Sequence, residues 1–132
     1  TIFIMDLPIT LGITIEKVCN TLMEARVAVQ LNHWAIKPNI NLALHEALGE
    51  LYEGLNDKID SFVETSQGTY NRVFVLVINS TSTESNANVV IQQVVTLREF
   101  LLKARSVIQH SHLQNQLDEF LTLVNQILYK IK

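Results

Sequence analysis

Residues 67–88 read QGTYNRVFVLVINSTSTESNAN, and the course of this stretch decides how the rest of the chain folds. Its ends are polar, its middle is the apolar run Val73–Ile78, and long segments of helical periodicity flank it on both sides. Connections between neighbouring helices in bundles usually take about 2–8 residues, so a linker of twenty-two needs another explanation. A helix of about 26 residues is roughly 39 Å long, and an extended linker at about 3.3 Å per residue can cross that length. The stretch therefore predicts a crossover from one end of a bundle to the other. Val73–Ile78 would lie along the outside, where so apolar a run calls for cover from a neighbouring subunit. A strand or short helix folded over the chain's own core is the alternative.

Upstream, Ile15, Val18, Leu22, Ala25 and Val29 recur at spacings of 3, 4, 3 and 4, which is one face of a helix. This predicts a first helix over about 13–37, led in by Pro8 and Gly12 and stopped by Pro38, which cannot donate and disfavours a helical residue before it. Asn39 or Asn41 can cap a second helix over about 40–66. Its core stripe is Leu44, Leu48, Leu51, Leu55, Ile59 and Phe62, with Gly68 just past its end. A third helix, about 88–109, carries Val90, Val94, Leu97, Leu101, Ala104 and Ile108. Val89–Val95 alone suits a strand, but the pattern runs too long for one. The fourth, about 112–131, carries Leu113, Leu117, Phe120, Val124, Ile127 and Ile131, with Ser111 and Gln114 spaced as a capping box. Short connections make antiparallel neighbours. The expected fold is thus all-α, one domain over residues 1–132: a ferritin-like four-helix bundle of two antiparallel hairpins joined by the crossover at 67–87.

Composition narrows the function classes. Hydrophobic residues are 48% of the 132, which excludes a disordered chain, and charged residues only 17%, low for a monomer that keeps its whole surface wet. The net charge of −3 supplies no basic stripe for nucleic acid. A lone Cys19 cannot form an internal disulfide and reads as buried and inert on the first helix. No apolar run approaches the roughly 18 residues of a membrane span. Thr1–Ile13 lacks the basic flank of a signal peptide. These features point to the cytoplasm, or to a particle assembled there.

The internal di-iron site of ferritin-like bundles uses a Glu-x-x-His pair on each of two helices, and no Glu-x-x-His occurs in this chain. The second helix offers a different arrangement. At about 100° per residue, Asp60 and Glu64 lie one turn apart on a ridge pointing away from the core stripe, with Glu53 on nearly the same side and His45 nearer the core. On their own Asp60 and Glu64 read first as a solvated face. Two carboxylates make a weak, open metal site that needs ligands from another chain. The first helix can deliver one, since it carries a second apolar strip of Met23, Val27, Leu31 and Trp34, and His33 lies at that strip's boundary. A helix apolar on two sides is buried on two sides, which suggests a subunit contact. His110 and His112 read as contacts to a helix C-terminus, and Trp34, Tyr52 and Tyr70 as packing residues.

The segment His33-Trp34 … Leu44-His45-Glu46 … Asp60 … Glu64 resembles the Dps (mini-ferritin) branch of the ferritin-like superfamily, in which two His twelve residues apart are followed by an Asp and a Glu at these spacings. Asp60-Ser61-Phe62-Val63-Glu64 … Gln67-Gly68 and Leu113-Gln114-Asn115 … Asp118-Glu119 … Tyr129 are similar to small Dps-related proteins of tailed bacteriophages. The likeness covers Leu31–Gly68 well and the last helix more loosely. It implies a homo-oligomer in contact through helices 1 and 2 and the 73–78 segment, with iron bound between subunits by His33 of one copy and Asp60 and Glu64 of another. It also implies a short helix at Val73–Ile78. Mini-ferritins carry an Asp four residues after the second His, and here that position is Gly49. His45 thus lacks its carboxylate, which leaves ferroxidase-like turnover open. Thr1–Thr10 contains no Lys or Arg, unlike the DNA-binding tails of such proteins. Two functions follow as expectations: an oligomeric Dps-like iron binder, or a non-catalytic phage structural protein, virion-associated, that uses the bundle for assembly.

Overall fold

The computed structural model describes residues 13–79 and 81–132. It is all-α, with α1 at Ile15–Ala35, α2 at Leu42–Tyr70, α3 at Ala87–Val107 and α4 at Ser111–Ile131, and no strand among the described residues. The lead-in assigned to Pro8 and Gly12 lies outside them. None of the described helices is long and apolar enough to cross a membrane.

The stripes expected from the sequence form the core. Leu48, Leu51, Leu55, Leu101, Leu113 and Leu117 are fully buried, and Phe62 meets Phe120 edge to face with ring centroids 5.9 Å apart. Each such side chain contributes about 1.5–3 kcal/mol relative to exposure. Thr14 starts α1, its hydroxyl accepting from the Lys17 N–H at 3.0 Å. Asn41, one of the two expected caps, starts α2 by accepting from the Leu44 N–H at 3.1 Å.

Three local expectations fail. Gly68 does not end the second helix, which runs on to Tyr70. The stop is Asn71, left-handed at φ 54°, where its own N–H and that of Arg72 both close on the Gln67 carbonyl. A short polar side chain makes that conformation accessible to Asn. The Ser111/Gln114 capping box does not form either. His110 occupies the N-cap position without a side-chain bond, and Gln114 Nε2 instead donates to the Ile108 carbonyl at 2.7 Å, satisfying the frayed end of α3. Third, Val73–Ile78 is not a short helix. Residues 73–79 run outside any helix, and over 73–77 the exposed Val73, Val75 and Val77 alternate with buried Phe74 and half-buried Leu76, the extended course that β-branched residues prefer.

α1 packs on α2, α2 on α4, α3 on α4, and α1 only lightly on α3. The linker at 71–86, hereafter the strap, runs the length of α1. Arg72 pairs with Glu16, Asn20 accepts from the Val77 N–H, Glu24 from the Asn79 N–H, and Asn32 from the Glu84 N–H. α3 therefore begins at the end of the bundle where α1 stops and α2 starts. Asn32, only 2% exposed, fixes this junction by also donating from Nδ2 to Gln93 Oε1 of α3 at 2.8 Å.

Candidate functional site

The end of α1 and the start of α2 bring His33 and His45 together, the two imidazoles stacked with centroids 4.0 Å apart and planes 22° from parallel. Each ring bonds to the other residue's backbone. His33 Nδ1 lies 2.7 Å from the His45 carbonyl oxygen, and His45 Nδ1 lies 2.8 Å from the carbonyls of both His33 and Ile36. A carbonyl oxygen only accepts, so Nδ1 carries the hydrogen in both rings and His45 closes orphan carbonyls at the end of α1. In the neutral rings, Nε2 is then the site of the lone pair. Metal-binding histidines are oriented in this way, by a carbonyl or carboxylate held on the nitrogen that does not touch the metal. Because the rings are nearly parallel, their in-plane lone pairs do not converge on one point. Such a pair is arranged to meet two separate partners, each an ion or a hydrogen-bond donor, rather than to chelate a single ion.

Gly49 faces this stack one turn along α2. A Cβ built there would lie 3.0 Å from His33 Cε1, 3.4 Å from Nδ1 and 3.6 Å from Nε2. The position that lacks a carboxylate therefore abuts His33, whereas the resemblance pairs it with His45. The missing side chain makes the room in which the His33 ring lies.

Asp60 and Glu64 are exposed on α2 and make no hydrogen bond or ion pair among the described residues. Asp60 lies eleven residues beyond Gly49, about 16 Å along the axis, so one chain does not bring these carboxylates to its own histidines. Among the described residues no three His, Cys, Asp or Glu side chains gather as a ligand set. Asp60 and Glu64 prove to be the end of a longer feature. Glu46, Glu50, Glu53, Asp57, Asp60 and Glu64, all exposed, recur at 4, 3, 4, 3 and 4, and among the described residues only Glu50 has an ion partner, Lys130. This acidic ridge has a plain sequence signal, the same heptad spacing used to find the core, applied to charged residues.

The other singled-out residues divide. Tyr52 and Tyr70 pack against the core, but Trp34 is 62% exposed and not a packing residue within the chain. Burial pushes the Cys19 thiol up to about 12, with Glu16 adding to the shift, so it stays protonated and inert. The Thr69 hydroxyl gives its hydrogen to the Thr65 carbonyl and so accepts from His112 Nε2, at 2.8 Å in both cases. His110 sits edge to face on Tyr70, 5.4 Å between centroids. These two imidazoles contact the last turn of α2 and the start of α4, and form no metal cluster with other described residues.

With that geometry in hand, the comparisons place the chain. It belongs to a family of unknown function, DUF5856, whose model matches residues 39–131, from the turn before α2 to the end of α4. The matched span contains His45, Gly49, Asp60 and Glu64 but not His33. No curated protein and no solved structure gives a match.

Proposed function

We propose that the bundle is ferritin-like, of the Dps-like (mini-ferritin) kind, and that it binds Fe²⁺ as cargo between two copies of the chain. His33 of one copy, with His45 beside it, meets Asp60 and Glu64 of the other. The observation that carries this reading is the orientation of the two imidazoles. Each has Nδ1 held by a carbonyl, leaving Nε2 to serve as ligand at a half-exposed surface. Asp60 and Glu64, without an ion pair among the described residues, supply oxygen donors, and imidazole nitrogen with carboxylate oxygen is a donor set suited to iron. The helix pairing and the lengthwise strap fit two hairpins joined by a crossover. With Gly49 supplying no carboxylate, the reading includes iron binding and not the concerted oxidation of two irons.

Anaerobic Fe²⁺ titration tests it. Saturable binding is expected in the wild type and is lost in both His33→Ala and the double variant Asp60→Ala/Glu64→Ala. Because the ligands come from different copies of a two-fold pair, co-refolding equal amounts of these variants should restore about one quarter of the wild-type capacity. Recovery of none, with each variant folded and associated, would exclude a shared site.

A second reading is favoured by the His33 ring lying over Gly49 and by the exposed Trp34, Val73, Val75 and Val77. It is a phage structural protein, cytoplasmic before assembly and virion-associated after it, whose apolar faces serve assembly alone. It predicts no saturable iron binding.

A further inference from the structure

The turn from α3 to α4 reads Gln109-His110-Ser111-His112 and carries two imidazoles that the iron reading does not use. Both are exposed, and they sit beside the last turn of α2, at the end of the bundle away from His33 and His45. Their arrangement differs from the stacked pair: the ring centroids are 5.8 Å apart and the planes are inclined at 55°. An ion about 2.0–2.1 Å from one nitrogen of each of two imidazoles holds their centroids about 4.5–6.4 Å apart, for angles at the ion from square to linear. The spacing of His110 and His112 falls within that range, whereas the 4.0 Å of His33 and His45 falls below it. His112 is also oriented. Thr69 Oγ1 gives its hydrogen to the Thr65 carbonyl, so His112 Nε2 carries the hydrogen it shares with Thr69, and in the neutral ring Nδ1 holds the lone pair. A ligating imidazole is steadied in this way, through the nitrogen away from the metal. His110 rests edge to face on Tyr70, and its ring makes no hydrogen bond among the described residues, so either nitrogen is open.

The geometry points to a second metal site within one chain, at which His110 and Nδ1 of His112 together take a late first-row divalent ion, Zn²⁺ or Cu²⁺, with water in the remaining positions. Among the described residues no Asp, Glu or Cys joins the two rings as a third ligand. A donor set of imidazole alone suits these ions, and Fe²⁺ stands well below them in the general order of affinities. The helix dipoles oppose each other here. Thr69 lies in the last turn of α2, whose end favours a cation, while His110 and His112 open α4, whose start disfavours one. Affinity therefore comes from the two nitrogens acting as one chelate, held by the Thr69 hydroxyl. The site needs no second copy of the chain and shares no residue with the iron reading, so it does not rest on that reading.

The test is a Zn²⁺ titration of the full chain followed by imidazole nitrogen NMR, which reports each ring separately and so is blind to binding elsewhere. His112 Nδ1 and one nitrogen of His110 should shift along a single saturation curve, while His112 Nε2 keeps its hydrogen. His110→Gln and His112→Gln should each lower the affinity about 100-fold or more, because the second ligand of a linked pair binds intramolecularly. Thr69→Val should lower it about 10–100-fold, the usual effect of removing a ligand's outer partner, and Thr69→Ser should restore it. Circular dichroism checks that each variant keeps its helices. The proposal is overturned if the two rings follow separate curves, if either His variant binds as the wild type does, or if neither ring responds to millimolar Zn²⁺. A folded Thr69→Val that binds at full strength also overturns it, since Nδ1 of His112 is then not the oriented ligand. Asp60→Ala/Glu64→Ala should leave the response of both rings unchanged, so loss of the iron reading and loss of this one are separate outcomes.

Discussion

Gly49 and Gly54 lie on one helix and would respond differently to the same methyl group. At Gly54 a Cβ comes 2.6 Å from Leu123 Cδ2, the far end of a half-buried side chain that can rotate away. Gly54→Ala should therefore keep the fold and recover much of the roughly 1 kcal/mol that Gly costs a helix interior. At Gly49 the neighbour is an imidazole pinned by a hydrogen bond. Gly49→Ala should displace the ring and lose that bond, worth about 0.5–1.5 kcal/mol, leaving little or no net gain. Thermal melts with histidine ring NMR shifts would check both: His33 moves in the Gly49 variant and stays in the Gly54 variant. The absence of a carboxylate at position 49 was legible in the sequence. That the His33 ring fills the place was not, because it depends on how two helices cross and on which backbone carbonyls their last and first turns present.

At the scale of the element, the apolar stripes were legible throughout, since burial imposes a 3.6-residue period that residue types alone display. Helix ends were less so. Gly68 carries the composition of a stop signal, yet the left-handed residue is Asn71, and only backbone closure on Gln67 distinguishes them. Asn71→Gly should accordingly be neutral or slightly stabilising, whereas Asn71→Ala should cost about 1 kcal/mol, a left-handed conformation being strained with a Cβ and no local polar group. Urea unfolding of the two variants measures the difference. The strap shows the limit of analogy at this scale. The resemblance implied a helix at Val73–Ile78, whereas the chain runs through those residues outside any helix.

For the whole molecule, linker length already implied a lengthwise crossover, because chain geometry leaves few ways to place so many residues between two helices. The candidate site was legible only as a set of spacings. His33 and His45 share an end of one chain, but the carboxylates that would complete the site belong to another copy, and no spacing in a single sequence fixes how two copies meet. The four-helix assembly is also unevenly knit. α1 touches α3 lightly, and a small, partly open crevice of about 40 Å³ lies between them, bordered by Ala28, Val29, Val90, Val94 and Leu97. Empty space is lost when a protein opens, so compression favours the open form. Under hydrostatic pressure the methyl resonances of Val29, Val90 and Val94 should broaden before those of Leu55 and Leu117 lose their native environment. α3 would then loosen from α1 along this seam, while the α2–α4 contact through Phe62 and Phe120 still holds the two hairpins together.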